Sequence, residues 1–91
     1  MKKNQEIRAN LAEILELPKD IILGIPKITM VGNLQLFIEN HKGILEYTDT
    51  YIRINTKSGI LQISGRNLLL KNIIYEEIII VGEIIQMEFT R

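Results

Sequence analysis

Glu39 and His41 are the pair in this 91-residue chain whose types and spacing could do acid–base chemistry. Two residues apart on a strand they would share a face, and a carboxylate beside an imidazole can pass a proton. The surrounding Glu39-Asn40-His41-Lys42-Gly43 has the composition of a hairpin loop, where a histidine is ordinarily just solvated. No nucleophile or oxyanion donor accompanies the pair. With one histidine and no cysteine, a metal site has little to build on. Glu76, Glu77 and Glu83 form a second constellation. They flank Ile78-Ile79-Ile80-Val81, so they read as gatekeepers against aggregation ahead of a functional acidic pair. Tyr47 and Tyr51, on either side of Thr48-Asp49-Thr50, are expected to face one another across a hairpin. As a platform for stacking bases they lack surrounding positive charge. There is no GxGxxG, Walker loop or HExxH. The residues therefore predict no catalytic group, no cofactor site and no metal site, and the chain is not expected to be an enzyme.

Charge points the same way. Eleven basic and eleven acidic residues cancel, leaving no long-range field to gather nucleic acid or anionic lipid. Lys19, Lys27, Lys42, Arg53, Lys57, Arg66 and Lys71 are scattered singly, as on solvated faces and guarded sheet edges. The absence of cysteine excludes a disulfide frame and a thiol nucleophile and suits a reducing cytoplasm. No apolar run approaches the roughly 20 residues of a membrane-spanning helix, so direct membrane insertion is not expected. Met1 to Glu6 starts basic but continues into an amphipathic, acidic stretch, unlike a signal peptide.

The elements that would carry these residues are written in a repeated phrase, apolar-x-apolar-x-Gly. It occurs at Ile28–Gly32, Leu61–Gly65 and Ile78–Gly82. Apolar residues two apart lie on one face of a strand, and glycine permits a turn or kink at its end. Nineteen isoleucines and eleven leucines against five aromatics strengthen the β reading. At this length the chain is read as one domain, residues 1–91, able to bury roughly 60–65% of its unfolded surface. Ile7, Leu11, Ile14 and Leu15 form one stripe of an amphipathic helix over about residues 3–16, closed by Pro18. The helix segment is 1–17, the connector 18–26 and the β domain 27–91. The helix is expected to lie across the sheet or over a barrel end, or to serve as a detachable partner helix. In the connector, Asp20 would cap a single turn that Gly24 ends.

Eight short strands are expected, near 27–31, 34–39, 43–47, 51–55, 59–63, 67–72, 76–81 and 84–89. Gly32, Gly43, Gly59, Gly65 and Gly82 mark the turns between them. The fold class is all-β: a small antiparallel sandwich or partly closed barrel. The alternative is a β-solenoid, because Gly43-Ile44-Leu45-Glu46 recurs as Gly59-Ile60-Leu61-Gln62 sixteen residues later. Alternation fails in Leu68-Leu69-Leu70 and in Ile78–Val81, so those strands need cover on both faces. Leu68, Leu70, Ile79 and Val81 are accordingly the candidate interface of a homo-oligomer, with the N-terminal helix a lesser candidate.

Leu17-Pro18-Lys19-Asp20-Ile21-Ile22-Leu23-Gly24-Ile25-Pro26-Lys27-Ile28-Thr29 resembles the start of the YabP/YqfC family of sporulation proteins. So does Gly32-Asn33-Leu34-Gln35-Leu36-Phe37-Ile38-Glu39-Asn40-His41-Lys42-Gly43, followed by Tyr47. The later Thr56-Lys57-Ser58-Gly59 and Gly65-Arg66-Asn67-Leu68 fit family steps, and Glu76 to Gly82 fits with one residue inserted. The resemblance implies a small protein of endospore-forming Firmicutes, made in the mother cell during sporulation. It carries over no catalytic residue. It suggests a protein partner, a membrane-anchored sporulation protein at the membrane surrounding the forespore. The expected role is a non-enzymatic assembly or scaffold factor, cytoplasmic in the mother cell or peripheral at that membrane; a small Sm-like or OB-like nucleic-acid-binding module is the alternative.

Overall fold

The computed structural model describes residues 23–74 and 76–91; the expected N-terminal helix and the start of the connector lie outside them. Among the described residues six strands run in chain order: β1 (Lys27–Val31), β2 (Gln35–Glu39), β3 (His41–Tyr47), β4 (Tyr51–Thr56), β5 (Gly59–Ile74) and β6 (Glu77–Thr90). They form one sheet in the order β1-β2-β6-β5-β4-β3, every pair antiparallel. β1 and β3 end the sheet unpaired with each other, so it is not closed. The all-β, antiparallel expectation is met. The solenoid is excluded: β4 lies between β3 and β5, so residues 44–47 cannot stack in parallel on 60–63.

Six strands replace the expected eight because two glycines bend strands where turns were expected. Ser64-Gly65-Arg66-Asn67 is not a hairpin turn; it lies inside β5. Gly82 likewise lies inside β6. The two positions meet across the β5–β6 pair. A Cβ at Gly65 would collide with the backbone oxygen of Glu83. At Gly82, φ is +139°, and a Cβ would sit 2.6 Å from the Asn67 oxygen and 2.9 Å from Leu68 Cα. Register slips by one residue between Ser64 and Gly65 and again between Arg66 and Leu69. Bulges of this kind bend and twist a strand.

The bend gives the sheet two arms. In the first, β2 pairs with β6 at residues 77–81, and β6 with the later part of β5. In the second, β4 pairs with β5 at 59–64, and β5 with β6 at 86–90. The inward faces meet in a single core. Leu36, Ile38, Ile78 and Ile80 come from the first arm, and Ile52, Ile54, Leu61 and Ile63 from the second, all fully buried. Leu68 and Ile84, beside the bend, complete the cluster. Burying such side chains contributes roughly 1.5–3 kcal/mol each, so this aliphatic layer is the main stabilising feature.

Candidate functional site

The acid–base pair does not form as the strand pattern predicts. Glu39 ends β2 and His41 begins β3, with Asn40 between them as a one-residue corner at φ +65°. That corner breaks the alternation that would have set the two side chains on one face. Asn40 is fixed there by its Nδ2, which donates to the Ile25 oxygen at 3.0 Å.

His41 is not solvated; only 7% of it is exposed. Its Nδ1 accepts from the Gly43 N–H at 3.0 Å, which puts the proton of the neutral ring on Nε2, a buried atom with no partner among the described residues. Burial holds the pKa below the ordinary imidazole value, while the nearby Glu76 carboxylate pulls it upward. The folded state therefore binds this proton less readily than the unfolded chain. Stability from this group is complete above about pH 6.5 and is lost as pH falls through the lowered value. A urea midpoint measured at about pH 7.5 and again at about pH 5.5 should fall in the wild type and fall less in His41→Gln, which keeps an acceptor. Equal drops in both would assign the acid sensitivity to the carboxylates.

The tyrosine pair is also displaced. β3 carries an extra residue between Ile44 and Glu46 relative to β4, so Tyr47 opposes Ile52 in place of Tyr51. Tyr51 therefore points to the other face and pairs with Ser64. The Tyr47 hydroxyl instead accepts from the Leu70 N–H at 3.1 Å. Glu76 contributes its backbone oxygen, which accepts from the His41 N–H. Glu77 opens β6 beside Glu39, and Glu83 lies 3.8 Å from Arg66 in an exposed pair of small energetic weight.

The candidate interface residues divide between two surfaces. Leu68 is 2% exposed and belongs to the core, and Leu70 packs against it. Ile79 and Val81 lie on the opposite face of β6, half-buried beside Phe37 and Gln35. In this stretch β6 is paired on both sides, by β2 and β5, so association there would have to be face to face. Gly32 lies in the β1–β2 turn, Gly43 within β3 and Gly59 at the start of β5.

The strand expected near 84–89 is present as the second half of β6; what sequence reasoning missed is the state of its outer edge. Past the bend, β6 leaves β2, and among the described residues its outer edge is open. The β1–β2 turn covers only the beginning: the Leu34 oxygen accepts from Gly82 N–H at 3.1 Å and the Asn33 oxygen from Ile84 N–H at 2.7 Å. Beyond that, Ile85, Met87 and Phe89 are 59%, 36% and 47% exposed. Met87 opposes Ile63 and Phe89 opposes Leu61, so both side chains stand on the core-facing side of the sheet at its rim. The alternation Met87-Glu88-Phe89 is visible in the sequence, but only the sheet order shows that nothing described flanks it.

Among the described residues, no group of three metal-ligating side chains is assembled, and no helix is long and apolar enough to cross a membrane. A family model described as the YabP family matches residues 24–91. The chain is 40% identical over 83 residues to the uncharacterized protein YqfC of Bacillus subtilis (strain 168), covering 91% of this chain and 89% of that one. No solved structure matches it.

Proposed function

The chain belongs to the YabP family, and from that premise we propose that it is a non-enzymatic assembly or scaffold factor of sporulation, acting in the mother cell through protein contacts. The observation that supports this reading is the open apolar edge at Ile85, Met87 and Phe89. Exposed strand edges with an apolar face are surfaces that add a further strand or bury against a partner. The partner suggested by the family resemblance is a membrane-anchored sporulation protein, with this chain peripheral at the forespore membrane. Neutral net charge favours such contacts over a nucleic-acid groove.

The experiment is co-purification of the tagged chain from sporulating cells after mild cross-linking, run beside filter binding to single-stranded RNA and DNA at low salt. Enrichment of an integral membrane protein of sporulation, with no nucleic acid retained, is the expected result. Micromolar binding of RNA or DNA with a steep salt dependence would reject the scaffold role for the Sm-like or OB-like alternative.

A further inference from the structure

We propose that the open edge of β6 pairs with the same edge of a second copy, antiparallel, about a two-fold axis at Met87. This inference is independent of the sporulation role.

The backbone is set for it. Gly65 N–H donates to the Thr50 oxygen on the β4 side. Alternation along β5 then turns Ser64, Gln62 and Ile60 toward β6, where they meet Gln86, Glu88 and Thr90. The N–H and C=O groups of Met87 and Phe89 are consequently directed at the open edge, and no described residue meets them. An axis at Met87 pairs Met87 with Met87 of the second copy and Phe89 with Ile85 of the second copy. Glu88 falls opposite Gln86, so no like charges are opposed. The ladder ends at the Ile85–Phe89 pairs, because the Asn33 oxygen already takes the Ile84 N–H; past it the long Arg91 side chain of each copy is left on the side of the other's Glu83, opposite charges at both ends of the contact.

The other edges are guarded, and this one is not. β1 is five residues long and begins at Pro26-Lys27. β3 carries Lys42 and two register breaks. The outer part of β5 is covered where Leu68 N–H meets the Asp49 oxygen and Leu70 N–H the Tyr47 hydroxyl. From Gln86 to Thr90, β6 has no lysine, no proline and no register break. Short edges, lysine, proline and bulges are the usual protection against edge-to-edge pairing. Here the protection is missing where the side chains are apolar.

Sedimentation equilibrium of the full chain tests the pairing, together with a cross-link. The chain has no cysteine, so Met87→Cys provides a single thiol. In a hydrogen-bonded antiparallel pair the two Cα atoms lie about 5.5 Å apart, within disulfide range. Oxidation should therefore give a covalent dimer at least about tenfold faster than for Leu45→Cys, an exposed control on β3. Met87→Pro removes an N–H that no described residue uses, and Met87→Lys sets like charges opposite one another. Each should weaken dimerisation at least about tenfold while leaving the circular dichroism unchanged. A wild type monomeric at about 0.5 mM, as expected if residues 1–22 cover the edge instead, overturns the proposal. So does a dimer that both substitutions leave intact.

Discussion

Gly82→Ala should cost about 3 kcal/mol or more, enough to unfold a large fraction of a domain this small. Two effects add. The backbone at φ +139° is one that L side chains rarely adopt, at a cost of roughly 1–3 kcal/mol. The new methyl would also lie 2.6 Å from the Asn67 oxygen, 2.9 Å from Leu68 Cα and 3.0 Å from the Arg66 oxygen. These neighbours are backbone atoms held in the β5–β6 pair, so they cannot move without shifting the bend itself. Gly32→Ala separates the two effects. It too has positive φ, +51°, but nothing stands within 4 Å of the added methyl. There the expected loss is only the conformational one, roughly 1–2 kcal/mol. Urea melts of the two variants would measure the difference. Equal losses would mean that β5 can move away from β6, contrary to a fixed bend.

The same glycines show where the sequence could be read and where it could not. The phrase apolar-x-apolar-x-Gly correctly placed strand segments before Gly32, Gly65 and Gly82. It could not distinguish a glycine that turns the chain back from one that lets a partner strand approach. Gly32 is the first kind, in a turn between paired strands; Gly65 and Gly82 are the second. That distinction depends on what lies across the sheet, so eight strands were expected where six long or bent ones form. The Tyr47–Tyr51 pair failed for a related reason. A single extra residue in β3 moves the register by one and turns Tyr51 to the other face. His41 followed from Asn40, whose positive φ makes a one-residue corner out of a sequence that reads as a loop. The open edge was hidden most completely. Ile85, Met87 and Phe89 have the same pattern as core strands, and only the strand order leaves them uncovered among the described residues.

Ile80→Ala should be nearly as damaging as the glycine change, at about 2–5 kcal/mol, while Ile79→Ala costs far less. The two residues are identical and adjacent, and the run Ile78-Ile79-Ile80-Val81 gives no sign of which faces inward. Register decides it. Ile80 opposes Leu36 on one side and Leu70 on the other, and is fully buried where the two arms meet. Removing three carbons there opens a cavity bounded by side chains of both arms, which the paired strands allow to collapse only in part. Ile79 opposes Phe37 and Lys71 on the outer face and keeps contact with water. Its truncation loses part of a transfer term and creates no enclosed void. Ile79→Lys sharpens the contrast, since the lysine stem can lie along Phe37 with its ammonium in water. Thermal melts should therefore show a folded Ile79→Lys variant beside a severely destabilised Ile80→Ala. If Ile79→Lys unfolds the protein, the outer face of β6 is covered by more of this chain than residues 23–74 and 76–91.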